Sequence, residues 1–201
     1  MKTPKLTKSF YLNKNVIDVS KKLLGKVLTT QIDNTITSGI IVEVEAYAGI
    51  NDRASHTYNH KRTQRTEVIY EIGGISYVYL CYGMYYLFNV ITNVKNIPDA
   101  VLIRAIEPLD GIDKMQHRRN IKDKLYNLTN GPGKLSIALG IDKNLNGKSL
   151  LSDKIWIQDN HIKIKEKDIL SSPRIGVDYA EDDAKLPYRF YFKNNKWVSK
   201  S

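Results

Sequence analysis

Two carboxylates and a phenol stand at alternate positions, Glu43, Glu45 and Tyr47 of IIVEVEAY, in an otherwise apolar stretch. A strand sends successive side chains to opposite faces, so Ile41, Glu43, Glu45 and Tyr47 share one face and Ile40, Val42, Val44 and Ala46 the other. An unpaired buried carboxylate is costly, and one held near a like charge in a partly dry site has its protonation tuned. The pattern therefore reads either as a solvated sheet face or as a general base, and Glu45, close to the Ala48-Gly49 turn, is the stronger candidate for a base. Arg104 is its counterpart. It interrupts the apolar run Ala100 to Ala105, must point opposite to Val101, Ile103 and Ala105, and calls for an anion, for which Glu45 is the natural partner.

The second unusual stretch is YVYLCYGMYYLFN, residues 77 to 89, where five of the chain's thirteen tyrosines fall within ten residues. Period two puts Tyr77, Tyr79 and Cys81 on one face and Val78, Leu80 and Tyr82 on the other. The Gly83-Met84 pair suits a two-residue type II′ turn with Gly first, so Tyr82 and Tyr85 flank the turn and the tip projects an aromatic ring. Residues 72 to 94 carry no formal charge and are long enough for a membrane span. Gly73, Gly74, Gly83, Asn89 and Asn93 break that span, and the periodicity is that of strands, so a hairpin is expected there.

These residues need elements to hold them. Val16, Val19, Leu23 and Leu24 recur at helical spacing, with Asn13 or Asn15 to cap the start and Gly25 at the C-terminus. Val27 to Ile32, a turn at Asp33-Asn34 and Thr35 to Tyr47 read as a hairpin whose second arm carries the carboxylates. The stretch 49 to 66, with His56, His60, Arg62 and Arg65, is polar and aperiodic and reads as a loop. Asp52, His56 and His60 would line one helix face and could hold a metal, but a nonhelical loop removes that geometry. Glu107-Pro108 is expected to end the strand that carries Arg104. Asp110 can cap a helix with a basic surface, Lys114, His117, Arg118, Arg119, Lys122 and Lys124. NGPGKL then sets Gly131 and Gly133 ahead of a helical run to Gly140, where Lys134 and free N–H groups suit a phosphate. Ile155 to Ile164 reads as a hairpin turning at Asp159-Asn160, Tyr188 to Phe192 as a last core strand, and Trp197 closes the chain.

The chain's 201 residues suffice for one domain, 1–201, with a substantial core, and no linker or repeat divides it. Thirty-one Lys and Arg against 21 Asp and Glu give a formal charge of +10, which favours an anionic partner such as nucleic acid. Cys81 is the only cysteine, which excludes a disulfide framework, a CxxC redox pair or a multi-cysteine zinc site within the chain and fits a reducing cytoplasm. The start, MKTPKLTKSFYLNKN, lacks the apolar core and cleavage site of a secretory signal.

With these residues in view, the chain resembles the alkyladenine (3-methyladenine) DNA glycosylase family. The blocks that carry the resemblance are IVEVEAYAG (41 to 49), DRASH (52 to 56), YVYLCYGMYYLFN (77 to 89), VLIRAIEPLDG (101 to 111), NGPGKL (130 to 135) and RIGV (174 to 177). The resemblance implies a mixed α/β (α+β) domain with a curved antiparallel sheet and a protruding hairpin, surrounded by helices. The implied activity is removal of alkylated or deaminated purines, such as 3-methyladenine or hypoxanthine, from double-stranded DNA, by a monomer that needs no cofactor and no metal and works in the cytoplasm on the nucleoid. On this resemblance Glu45 falls on the water-activating carboxylate, Arg104 on the arginine that helps hold that water, and Ile175 on a residue whose backbone carbonyl contacts it. Tyr47, His56 and Tyr79 fall on the walls of the base pocket, Asn89 on the residue that disfavours normal guanine, and Tyr82 on the side chain inserted into DNA. Gly83, Met84 and Tyr85 at the tip, Arg65 and Lys134 are the further candidates for DNA contact. The chain departs from the family after His56, reading Thr63-Gln64-Arg65-Thr66 where relatives usually read TPRN, in the stretch that holds Arg62 and Arg65 as candidates for backbone contact.

A rival of another class is a noncatalytic nucleic-acid module, in which the tyrosines stack on bases and the basic surface follows the backbone. Glu45 separates the two, because a carboxylate among the aromatics repels phosphate and adds nothing to a stacking platform, whereas hydrolysis requires one. A metal-dependent nuclease would need a carboxylate and histidine cluster and would be abolished by chelator.

Overall fold

The computed structural model describes residues 4–123 and 125–199. In chain order these form α1 (Lys8–Tyr11), α2 (Val16–Leu23), β1 (Val27–Ile32), β2 (Thr35–Tyr47), β3 (Ile75–Cys81), β4 (Tyr85–Thr92), β5 (Asp99–Asp110), α3 (Ile112–Arg119), α4 (Pro132–Leu139), β6 (Ile155–Gln158), β7 (Ile169–Ser172) and β8 (Arg189–Phe192), with short 3₁₀ turns between them. Asn15 caps α2, its side chain accepting from the N–H groups of Ile17 and Asp18 at 3.0 and 3.2 Å. Asp33 and Asn34 take φ of 50° and 59°, the left-handed pair that lets two residues join β1 to β2.

The 13-residue strand β2 organises the fold. One edge pairs with β5 from Ser38 to Tyr47, and the other with β1 up to Ile40 and then with β8 over Glu43–Glu45. The eight-stranded antiparallel sheet runs β3-β4-β5-β2-β1-β6, with β8 added to β2 and β7 to β8. Register shifts between β2 and β5 fall at Ser38/Gly39, Ile41/Glu43 and Glu43/Val44. Such bulges bend and twist a sheet locally, and these curl it where the carboxylates lie. Its apolar side packs against the helices in a core that includes Leu23, Ile41, Phe88, Ile103, Met115 and Leu135. This is the mixed α/β fold with a curved antiparallel sheet that the resemblance implied. No helix among the described residues is long and apolar enough to cross a membrane, and residues 75–81 and 85–92 are strands joined by a turn.

Several local expectations are corrected. The hairpin tip holds three residues, not two. Cys81 pairs with Tyr85, the N–H of Met84 donates to the Cys81 carbonyl at 3.1 Å, and the left-handed residues are Tyr82 (φ 50°) and Gly83 (φ 68°). The turn is therefore centred one residue earlier than Gly83-Met84. β5 passes through Pro108 to Asp110, because beyond Leu102 it has no β4 partner and a missing N–H is tolerated on that edge. Asp110 does not cap α3. It ends β5, its carboxylate accepts from Ser38 Oγ at 2.6 Å, and Gly111 takes the capping position at φ 71°, where a Cβ would collide with the Ile36 carbonyl. Lys124, counted with that helix, lies outside the described residues. The hairpin expected over 155 to 164 is absent: β6 pairs with β1 and Lys5, while the Asp159 carboxylate is taken by Lys26 Nζ (2.8 Å) and the His161 N–H (2.9 Å). β7, which the sequence did not reveal, pairs with β8 instead.

Candidate active site

The curl of the sheet brings Glu45, Tyr47, His56, Arg65, Tyr77, Tyr79, Tyr82, Asn89 and Arg104 to one cleft of about 520 Å³, closed from the far side by Pro132, Ile175, Gly176 and Tyr179. Neither carboxylate of β2 is on a solvated face: Glu43 and Glu45 are both fully buried. Each is held by donors. Glu45 Oε1 accepts from Arg104 Nη1 at 3.1 Å and from the Ile175 N–H at 2.8 Å, and Oε2 accepts from the Tyr47 hydroxyl at 2.8 Å. Glu45 nevertheless lines the cleft. The contact from Ile175 to Glu45 is made by its N–H. Burial, together with the Glu45 charge, pushes the Tyr47 phenol up, so it stays a donor.

The aromatic wall follows from the β3 alternation. Tyr77 and Tyr79 stack with ring centroids 5.3 Å apart, and His56, from the polar loop, meets Tyr79 edge-on at 4.7 Å. His56 Nδ1 lies 2.9 Å from the Tyr77 hydroxyl. Burial, and then the charges of Arg65 and Lys61, lower His56 to about 4, so the imidazole is neutral near pH 7. Asn89, across from Tyr77 on β4, is buried and donates from Nδ2 to the Tyr77 carbonyl at 3.3 Å. Arg65 is exposed and lies over the Tyr79 ring at 4.9 Å, whereas Arg62 is engaged by Glu67 at 2.6 Å.

At the tip, Tyr82 is 85% exposed and Met84 68% exposed, standing clear of the sheet at the cleft mouth. Tyr85 turns toward α4, where a Cβ on Gly133 would lie 2.8 Å from its ring. Gly131 and Pro132 open α4, and Lys134 Nζ donates to Asn130 Oδ1 at 2.9 Å. Gly83, Met84, Tyr85 and Lys134 thus stand beside the cleft without lining it.

Two groups of functional residues escaped the sequence. Arg174 pairs with Asp52 through both terminal guanidinium nitrogens, Nη2 to Oδ1 at 2.8 Å, and Nη1 also donates to the Ala46 carbonyl at 2.8 Å. Asp52 in turn accepts from the N–H groups of Ala48 and Ala54, and the Arg174 guanidinium lies between the rings of Tyr47 and Tyr188. The pair ties the end of β2, the loop bearing His56 and the segment bearing Ile175 together. In the sequence Asp52 stood out only as a possible metal ligand and within the DRASH block, and Arg174 only through the RIGV block of the resemblance. The other group is Glu43 with Arg189 and Ser199, for which the sequence offered no signal beyond the alternation at Glu43. Among the described residues no cluster of three or more His, Cys, Asp or Glu could hold a metal, and Asp52 is committed to Arg174.

A family model described as methylpurine-DNA glycosylase (MPG) matches residues 9–196. Among curated proteins the chain is 45% identical over 203 residues to a protein of Clostridium novyi, covering 98% of each chain. It is 47% identical to one of Bacillus cytotoxicus, covering 92% of this chain and 95% of the other, and 48% identical to one of Chlamydia felis, covering 95% and 97%. All three carry the name "Putative 3-methyladenine DNA glycosylase".

Proposed function

The chain belongs to the methylpurine-DNA glycosylase family, and on that premise we propose that it flips damaged purines, 3-methyladenine and hypoxanthine among them, out of duplex DNA and hydrolyses the N-glycosidic bond with a water activated by Glu45. The observation that carries this reading is a buried carboxylate, held by an arginine, a backbone N–H and a phenol, that lines an aromatic cleft. A base can be worked on only outside the stack, at a cost of a few kcal/mol that is least for damaged or badly paired bases. The flipped purine lies among Tyr47, His56 and Tyr79, whose rings offer stacking surface, while Asn89 narrows the pocket against normal guanine and Tyr82 fills the gap left in the duplex.

Glu45 takes a proton from water as that water attacks C1′ from the side opposite the departing base, so the configuration at C1′ inverts. Arg104 and the Ile175 N–H hold Oε1, leaving Oε2 to serve as the acceptor. The residues of β2 around Glu45 include no lysine, so a Schiff-base lyase step is not expected and the activity is monofunctional. The protein acts as a monomer on double-stranded DNA of the nucleoid, in the cytoplasm, with its basic charge supplying phosphate contacts, Arg65 and Lys134 among them.

The test is incubation with duplexes carrying different damaged purines, followed by alkaline cleavage at abasic sites. Glu45→Gln keeps the shape and removes the base, so excision falls by about two to four powers of ten while DNA binding survives. Excision by this variant at near the parent rate refutes the assignment, and parent protein that binds DNA but releases no base favours the noncatalytic module.

A further inference from the structure

Glu43 lies two residues before Glu45, outside the cleft, and has no exposed surface. Its Oε1 accepts from Arg189 Nε at 2.7 Å, Arg104 Nε at 3.0 Å and Ser199 Oγ at 2.7 Å, and its Oε2 accepts from the Ser199 N–H at 2.6 Å. Arg189 Nη2 also donates to the Ser199 carbonyl at 3.2 Å, so the segment after β8 is stitched onto the same carboxylate. Glu43 is thus held by four donors, three on Oε1 and one on Oε2, all from Arg104, Arg189 and Ser199.

One guanidinium joins the two carboxylates. Arg104 presents Nε to Glu43 and Nη1 to Glu45. The guanidinium is planar and rigid, so anchoring one edge on Glu43 dictates where Nη1 points. A buried ion pair is weak grounds for stability, since apolar replacements of such clusters are often neutral or better. Retaining two glutamates and two arginines in this corner therefore calls for a different reason, and aiming Arg104 supplies one.

Resting on the reading of Glu45 as the base, we propose that Glu43 is a positioning residue that aims Arg104 at Glu45, and that Ser199, folded back from the end of the described chain, holds Glu43 in place. Glu43 touches neither DNA nor water in this scheme. Its effect reaches the chemistry only through Arg104, which makes the proposal separable from a packing role.

The experiment measures two quantities for each variant: single-turnover excision of hypoxanthine from duplex DNA at saturating enzyme, and affinity for a duplex carrying a tetrahydrofuran abasic analogue. Glu43→Gln lowers the excision rate by about ten- to a hundredfold, the loss that a misplacement near 1 Å produces, and leaves affinity within about threefold. In an Arg104→Lys background the same substitution costs less than about twofold, because the route it acts through is already broken. Ser199→Pro removes both the N–H and the Oγ donor to Glu43 while leaving the carboxylate and both arginines in place, and it slows excision several-fold even where Glu43→Gln fails to fold. Excision by Glu43→Gln within about twofold of the parent overturns the proposal, as does an equal cost in both backgrounds or a Ser199→Pro variant that melts earlier yet excises normally. Near-parent excision by Glu45→Gln overturns the underlying reading instead, whereas an inactive Glu45→Gln beside a normal Glu43→Gln removes only this inference.

Discussion

Burial moves two groups near the cleft in opposite directions across one pH window, so each conceals the other in the parent protein. Asp99, 8% exposed, is pushed by burial from 3.8 up to about 6, against the Asn93 Nδ2 hydrogen bond of 2.8 Å and with help from the nearby Asp52 charge. His56 is pushed by burial, and by Arg65 and Lys61, from 6.5 down to about 4. The Asp99 contribution to stability is fully present below pH 3.8 and is lost as pH rises through about 6, since the folded state binds the extra proton. The His56 contribution is present above pH 6.5 and is lost as pH falls through about 4, since the unfolded state binds the extra proton. At about 1.36 kcal/mol per pH unit each amounts to about 3 kcal/mol.

The two slopes offset one another between pH 4 and 6.5 in the parent, and single substitutions expose them. Asp99→Asn leaves His56 alone, so relative to the parent its stability declines by about 3 kcal/mol as pH is lowered across the window. His56→Gln, which still offers Tyr77 a partner, declines by a similar amount as pH is raised. Urea unfolding of the three proteins at half-unit steps from pH 4 to 7 reads the differences, and for a chain of this size thermal midpoints should move by about 2–4 °C per kcal/mol. Comparing variant with parent cancels the remaining carboxylates. If both variants lose a constant amount at every pH, the opposing burial shifts are not there and the reasoning fails.

Three other outcomes are expected. Arg174→Leu strands the buried Asp52 carboxylate and should cost about 3–5 kcal/mol of stability, read as a lowered urea midpoint; a cost below 1 kcal/mol would mean the pair does not bind the three segments together. Tyr82→Ser removes an exposed ring whose stacking is worth about 1–3 kcal/mol, so single-turnover excision should fall more for hypoxanthine paired in a duplex than for the same lesion in a bulge, and equal losses would mark it as a packing residue. The logarithm of DNA affinity should fall with the logarithm of salt at roughly −0.9 per phosphate contacted, and a flat response in a fluorescence titration would argue against DNA.

The sequence disclosed what nearest neighbours decide. Period two and turn chemistry gave β1 and β2 their boundaries, and a charge standing alone in an apolar run was enough to pick out Glu45 and Arg104. Where an outcome depends on a distant partner, local pattern misled. Pro108 is tolerated because the pairing of β4 with β5 ends at Leu102, Asp110 is drawn from its helix by Ser38, and residues 161–164 cannot fold back on β6 because its other edge is taken by Lys5 and Leu6. The same holds for the charges around the site: Asp52 and Arg174 are 122 positions apart, and Glu43 and Ser199 156. β8 makes the second meeting possible by pairing Arg189 opposite Glu45 and Tyr191 opposite Glu43, from where Arg189 reaches across to Glu43. A slip of one residue would turn Arg189 to the other face of the sheet, leaving Glu43 buried with Arg104 as its only cation. The register of four residues in β8 therefore decides whether a carboxylate two positions from the proposed base has a second cation, and no spacing within IIVEVEAY could have revealed it.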